Sequence, residues 1–306
     1  MYDMVIIGAG AAGLSAAIYA RRAMLDTVVL EESPIVGGQI LKTYDVDNYL
    51  GLPGLDGFTL AEHFRAHAEK LDTKFQTGTA LKIEDLGASK AVTMADGSVL
   101  ETRTVIYAAG AAHRKLGVPG EEALGGKGVS YCATCDGAFF RGKTVAVVGG
   151  GDVALEDAIF LARGCKQVYL IHRRDALRGA KTLQDAVLRQ ENITVLWDTV
   201  VEEIKGGEVV EAVSLRQVKT DAVQTLPVDG IFIAVGILPN TGQVEGLPEK
   251  DAGGYLIADE TGVTSIDGIF AAGDVRTKPL RQIITAAADG ANCVFSAEKY
   301  LAALQA

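Results

Sequence analysis

Two glycine-rich turns, Gly8–Gly13 and Gly149–Ala154, each stand between an apolar strand-like run and a helix-like run. Two later apolar runs, Val228–Ala234 and Ile266–Ala272, resemble each other in the same way. Together they predict an α/β chain of two Rossmann-like nucleotide-binding domains, each a three-layer ββα arrangement. The second domain is inserted in the first, because the last of these runs lies far downstream of the second turn.

The first unit opens on the apolar strand Met4–Ile7, which runs into Gly8-Ala9-Gly10-Ala11-Ala12-Gly13 and a helix over Leu14–Arg22. Gly8 permits the tight turn, Gly10 lets backbone N–H groups approach a pyrophosphate, and Gly13 allows close helix–strand packing. A second strand, Thr27–Leu30, ends at Glu31-Glu32, where a carboxylate can accept hydrogen bonds from a ribose. The turns Gly37-Gly38-Gln39 and Asp47-Asn48 each hold a lone amide side chain. Gln39 and Asn48 therefore suit either a flat ligand such as a flavin ring or ordinary loop chemistry. Phe58–Leu71 reads as an amphipathic helix, with His63 and His67 on it as solvated side chains; no metal site is expected. Leu81–Glu84, Ala91–Met94 and Val99–Thr102 form a β-meander with a hairpin turn at Asp96-Gly97. A separate buried strand, Thr104–Ala109, closes at Gly110, and Ala111–Pro119 reads as a crossover.

Then comes Cys132-Ala133-Thr134-Cys135-Asp136. Two thiols separated by two residues can close into a small, reducible disulfide, and a following helical turn favours the reactive thiolate. The acid one position later can exchange a proton with the departing sulfur. A dithiol bracketed by two nucleotide sites reads as a relay that carries two electrons between cofactors and then out to a partner. Phe139 and Phe140 follow directly.

The strand Thr144–Val148 opens the second fingerprint, Gly149-Gly150-Gly151-Asp152-Val153-Ala154, with a helix through Ala162. The next strand, Gln167–Ile171, ends on His172-Arg173-Arg174, with Arg178 one helical turn on. Where the first unit has a carboxylate, this one has guanidinium groups, which favour a 2′-phosphate and predict NADP(H) over NAD(H). Asp175 lies in the same run, where it could weaken the cluster, but it falls beyond the strand end. The strand Val228–Ala234 closes at Val235-Gly236, and Pro239-Asn240 marks the return crossing. The expected domains are 1–115 with 243–306, and 116–242.

In the tail, Ile266–Ala272 closes at Gly273-Asp274, where a carboxylate can hold a polyol. Arg281-Gln282-Ile283 opens a long helix to about Leu304. Its positive end, aimed at the carbonyl side of a flavin, would stabilise charge on the reduced ring, so the first site suits FAD.

Composition narrows the function further. With 306 residues and 48% hydrophobic content, the chain can bury two cores. The net charge of −10 argues against nucleic acid and anionic membranes as partners. No apolar run approaches the roughly 20 residues of a spanning helix. No basic region or cleavage site precedes Met4–Ile7, so no signal peptide is expected. Four cysteines with one close pair fit a reducing cytoplasm and one working disulfide. Cys165 and Cys293 belong to no motif and are expected to be buried and inert. A zinc-holding regulator is disfavoured, since zinc needs four ligands and no second pair exists.

Over essentially its whole length the chain resembles the bacterial low-molecular-weight thioredoxin reductases, which are FAD- and NADPH-dependent disulfide oxidoreductases. Gly8–Gly13, Gly37-Gly38-Gln39, Cys132–Asp136, Gly149–Ala154, His172–Arg178, Gly273-Asp274 and Arg281-Gln282 carry the resemblance, in order. It implies a homodimer whose FAD and NADPH domains rotate against each other. In such enzymes the second cysteine, here Cys135, faces the flavin. The first, Cys132, attacks the partner's disulfide, and Asp136 is the general acid–base. Phe139 and Phe140 match an aromatic pair that grips thioredoxin. By the same resemblance Ala11, Ala12, Glu32, Ala109, Gly110 and Ile283 line the FAD site, while Gly151, Asp152, Val153, Val235 and Gly236 line the NADPH site. The alternatives are the same core serving a glutaredoxin-like or peroxide-reducing partner, or one fed by ferredoxin.

Overall fold

The run Tyr2–Ile7 (β1) is apolar on both faces because both are covered. Met4 and Ile6 pack with helices, and Val5 and Ile7 with strands of a meander. The computed structural model describes residues 1–43, 46–242 and 244–304. They divide into two units, Met1–Ala112 with Leu238–Ala306, and His113–Ile237. Residue 243, expected to begin the returning segment, and residues 305–306 at its end lie outside the described residues.

After β1 the first unit continues with α1 (Ala11–Arg22), β2 (Thr27–Glu31), α2 (Gly57–Glu69) and β3 (Lys74–Thr77). The meander β4 (Ala80–Asp85), β5 (Lys90–Met94) and β6 (Val99–Tyr107) follows. Strands β3, β2, β1 and β6 run parallel, and β5 and β4 add antiparallel beyond β6. β6 corrects the sequence reading, which broke it at residue 103. It is one nine-residue strand that pairs with β5 over Val99–Thr102 and with β1 as far as Tyr107. The continuity has a local cause. Arg103 is no turn residue; it pairs with Asp3 at 3.4 Å, and the Thr104 hydroxyl donates to the Asp3 carbonyl at 2.8 Å.

The chain leaves through β7 (Ala111–His113). The second unit runs through β8 (Val129–Ser130), α3 (Ala133–Asp136), β9 (Thr144–Gly149), α4 (Asp152–Ala162), β10 (Gln167–Ile171), α5 (Lys181–Arg189) and β11 (Ile193–Leu196). A second meander, β12 (Thr199–Gly206), β13 (Val210–Gln217) and β14 (Val223–Pro227), precedes β15 (Gly230–Ala234). The parallel sheet has the order β11-β10-β9-β15-β8. Alternation repeats here: Val145 and Val147 face the α4 side, while Ala146 and Val148 face the meander. Each unit is thus helix, sheet and meander in three layers. They differ in that β6 joins meander to parallel sheet in the first unit, whereas β12–β14 is a sheet of its own in the second.

The chain returns through β16 (Ile237–Pro239), which forms a two-stranded sheet with β7. β17 (Ile269–Ala271) then pairs in parallel with the C-terminal half of β6. α6 (Ile283–Ala303) crosses α1 so closely that a Cβ on Gly290 would lie 2.1 Å from the Ala12 carbonyl oxygen. Only small residues permit that crossing, and the α1 face is Ala16, Ala17 and Ala20.

Helix α4 carries one ionisable group against this logic. Burial, with the neighbouring Glu156 adding to it, pushes the Asp157 carboxyl up to about 7. A carboxyl whose folded pKa is raised favours the folded state while protonated, and that benefit is lost as pH rises from about 4 through about 7. Asp157→Asn is therefore expected to exceed the parent by only about 1 kcal/mol near pH 4.5 and by up to about 4 kcal/mol at pH 8. Denaturant unfolding at the two pH values checks this; equal differences at both would contradict it.

Candidate active site

In the first unit the glycines of the Gly8–Gly13 turn each answer a distinct steric demand. Gly8 has φ +104°, and a Cβ there would lie 2.5 Å from the Ala108 carbonyl oxygen. A Cβ on Gly13 would sit 1.8 Å from the Gly8 carbonyl oxygen, so helix and strand meet with nothing between them. Gly10, the N-cap of α1, makes no such contact and leaves the first-turn N–H groups open. Gly38 lies against Gly10, where a Cβ would be 3.3 Å from its Cα. Glu31, at the end of β2, accepts from Ala9 N at 2.7 Å and from Ser33 N at 3.1 Å, and its remaining lone pairs stay available. Glu32 beside it is exposed.

The amide residues span the same unit. Gln39 donates from Nε2 to the Ala111 carbonyl, just past Ala109 and Gly110. Asn48 donates from Nδ2 to Gln282 Oε1 at 3.0 Å. Gln282 is the N-cap of α6, closed by a reciprocal capping box with Thr285, and Ile283 begins the helix. Asp274 follows Gly273 in a short 3-10 turn after β17. Its Oδ1 and the Arg281 Nε are buried with no hydrogen-bond partner among the described residues. Burial raises the Asp274 carboxyl's pKa, and Lys278 and Arg281 partly offset this. Two orphaned polar atoms beside an open glycine cradle are what a polar ligand would satisfy.

Sequence reasoning missed the group that holds this turn. Asp289, on α6, accepts from Gly273 N at 2.8 Å, from Arg276 at 2.7 and 3.0 Å, and from Lys278 Nζ at 2.8 Å. All three charged side chains are almost fully buried. An acid in mid-helix ordinarily reads as solvated; three nearby cations after Gly273 were the only signal.

In the second unit, Gly149 has φ +159°, and a Cβ there would lie 2.5 Å from both Ala154 Cβ and the Ala234 carbonyl oxygen. Gly151, the N-cap of α4, has open space around its Cβ position, and Val153 in the first turn is exposed. Gly236, just past Val235, has φ +123° and open space likewise. Two expected nucleotide ligands have other work. His172 is buried, with Nδ1 2.9 Å from the Gly149 carbonyl and Nε2 3.0 Å from that of Ala176. Its ring fills the space where Gly150 lacks a side chain. Asp152 accepts from Ala180 N at 2.6 Å, and Arg178 N donates to the Gly150 carbonyl at 2.7 Å. These contacts strap the 172–180 loop over the glycine turn.

Arg173, Arg174 and Arg178 remain on that loop, all exposed and with no carboxylate partner among the described residues. Asp175, the acid in the same run, pairs with Lys219 at 3.3 Å.

Cys132 and Cys135 form a disulfide with Cα atoms 5.3 Å apart. Cys132 is the N-cap of the short helix α3, whose N–H groups at Cys135 and Asp136 return to the Cys132 carbonyl. The Ser130 hydroxyl donates to Asp136 Oδ2 at 2.5 Å and accepts from Cys132 N at 3.1 Å, tying acid and thiol to β8. Tyr131 donates to the buried carboxylate of Glu121 at 2.7 Å, which also accepts from Leu116 N and Gly117 N. Of the aromatic pair, Phe139 is 40% exposed, whereas Phe140 is buried edge-on against Phe232 at 5.2 Å and over Gly230. Phe140 is thus core and not surface, because Gly230 leaves a slot for its ring. His63 and His67 are exposed on α2.

The sequence matches the family profile described as pyridine nucleotide-disulphide oxidoreductase over residues 2–290. The thioredoxin reductase of Listeria innocua is 43% identical over 306 residues, covering 100% of this chain and 95% of the relative. That of Bacillus subtilis is 42% identical, covering 100% and 96%. The crystal structure of thioredoxin reductase from Streptococcus pyogenes superposes with a TM-score of 0.95 at 45% identity, covering 99% of each chain.

Removing Asp289 would leave Arg276 and Lys278 buried without their counter-ion. Asp289→Ala is expected to cost about 3–5 kcal/mol, and Asp289→Asn less. Urea unfolding measures both; a loss under about 1 kcal/mol for Asp289→Ala would show the cluster to be dispensable.

Proposed function

The chain belongs to the pyridine nucleotide-disulphide oxidoreductase family, on its thioredoxin reductase branch, and from that premise we propose how its residues divide the work. The reaction is NADPH-dependent reduction of the disulfide of thioredoxin. The observation that carries this reading is the Cys132–Cys135 disulfide, closed on a helical turn in the unit that also holds the second glycine cradle.

FAD is held in the first unit. The open N–H groups after Gly10, with Ala11 and Ala12 in the first turn, suit its pyrophosphate, and Glu31 suits its adenosine ribose. Asp274 Oδ1 and Arg281 Nε, orphaned as they stand, would gain partners from its polar groups. Gln39, Asn48, Gln282 and the start of α6 at Ile283 would hold the ring. Bound there, a flavin would supply two-electron chemistry between a nicotinamide and a disulfide.

NADPH is the substrate of the second unit. Gly149, Gly151 and the N-terminus of α4 receive its pyrophosphate, and Val235-Gly236 leaves room for the rest of the dinucleotide. Arg173, Arg174 and Arg178 meet the 2′-phosphate with charge-assisted hydrogen bonds. His172 and Asp152 act behind them by fixing the loop.

In the reduced enzyme, the Cys132 thiolate attacks one sulfur of the partner's disulfide. A mixed disulfide forms, and the partner's other sulfur leaves as a thiolate that takes a proton. Asp136, which Ser130 holds, supplies it. The Cys135 thiolate then attacks Cys132 Sγ, the enzyme disulfide closes again, and the partner departs with two thiols. Phe139 is the exposed aromatic contact for the partner. The family resemblance further supports a homodimer working in the cytoplasm. Among the described residues no helix is long and apolar enough to cross a membrane.

Two measurements test the reading. Cys132→Ser should lose thioredoxin turnover by at least about 1,000-fold while NADPH still bleaches the flavin absorbance anaerobically. Turnover at the parental rate would remove the relay. Arg173→Gln with Arg174→Gln should raise KM for NADPH by about 10–100-fold and leave NADH kinetics alone. Equal effects on both nucleotides would remove the phosphate assignment.

A further inference from the structure

Beyond the dithiol, the second unit carries a cationic surface that the reaction just described does not use. The loop after Phe140 and the loop after α4 run side by side, because Gly142 N donates to the Gly164 carbonyl and Lys166 N to that of Lys143, both at 2.8 Å. This brings Arg141, Lys143, Arg163 and Lys166 together, all four exposed. None has a carboxylate partner among the described residues. The adjacent acid, Asp229, accepts from Thr144 N at 2.8 Å. On a chain with a net charge of −10, four neighbouring cations against one adjacent carboxylate mark a local reversal of the field.

The patch is continuous with the dithiol. Gly137, two residues past Cys135, lies against Phe160, where a Cβ would be 3.0 Å from the ring. Phe160 is 36% exposed, and the Arg163 guanidinium lies 6.0 Å from its ring centroid. Phe139, two residues past Gly137 in the chain, is exposed as well. A surface of two aromatic rings bordered by cations is the composition of a recognition site with an apolar centre and a charged rim.

We infer that Arg141, Lys143, Arg163 and Lys166, bordering Phe139 and Phe160, receive an acidic rim around the disulfide of the incoming thioredoxin. The inference rests on the reductase reading and adds the charge of the partner to it. Opposite charge across a rim acts mainly on encounter: it raises the association rate and fades as salt screens it. The patch therefore selects acidic disulfide proteins and steers them to Cys132.

The test compares Arg163→Glu with Lys166→Glu, combined in one variant, against Lys70→Glu with Lys127→Glu, which changes net charge equally elsewhere. The probe is an oxidised bacterial thioredoxin of acidic isoelectric point, assayed with the FAD-loaded enzyme and NADPH at low and high salt. The patch variant should lose about tenfold in kcat/KM at low salt, through KM, relative to the control pair. The gap should close to about twofold near 0.5 M salt. Flavin reduction by NADPH should be unchanged in both, which shows that the fold and the cofactor site survive. If patch variant and control have the same kcat/KM at every salt concentration, the docking inference is overturned. If the parent enzyme reduces no thioredoxin with NADPH, it is the reductase reading that fails.

Discussion

Everything in both units depends on how closely a helix can be brought to the end of a strand. At Gly13 and at Gly149 the space for one methyl group is already taken, by the Gly8 carbonyl in one case and by Ala154 and the Ala234 carbonyl in the other. With no side chain between them, the helix presents its first-turn N–H groups directly over the strand ends. Those groups have no intrahelical acceptors, and the aligned peptide dipoles add positive potential at the same point. The small residues along α1 and the glycine at its crossing with α6 extend the same demand through the unit.

From this shared frame the units diverge where the second strand ends. In the first, Glu31 reaches back to hold Ala9 N, so the loop is braced by a carboxylate with lone pairs to spare. In the second, the brace is the His172 ring, buried under Gly150 and held by two carbonyls. Because the histidine does the bracing, the arginines that follow are free for a ligand. Asp175, the one acid among them, is drawn off by Lys219. A swap of which side chain carries the structural load thus accompanies the change from carboxylate to guanidinium chemistry.

How much of this could be read from sequence follows the range of each interaction. The strand–turn–helix units, the paired thiols and the arginine cluster are local, and their residue types alone dictate the geometry. β6 was misread because a charged residue at position 103 looks like an interruption until its partner Asp3, a hundred residues earlier, is known. Phe139 and Phe140 are indistinguishable in sequence, and only Gly230 across the sheet decides which ring goes inward. His172 had a faint signal, since Gly150 occupies a position where the fingerprint tolerates any residue. Asp289 had almost none, for a buried carboxylate in mid-helix makes sense only once Gly273, Arg276 and Lys278 are brought to it.

The remaining cysteines show how a chain built around a reactive pair avoids reacting with itself. A thiol attacks only as thiolate, so burial that outweighs any nearby cation is protection. Burial pushes the Cys165 thiol's pKa up, and that of Cys293 up to about 12, with Asp289 adding to the effect. At neutral pH a thiol raised that far stays protonated. The Cys293 sulfur also donates to the Ala271 carbonyl at 3.4 Å, a contact that only the protonated form can make. Cys132 and Cys135 stand at the other extreme, partly exposed on a helical turn. Exchange chemistry is thereby confined to one pair by the same close packing that shapes the two cradles.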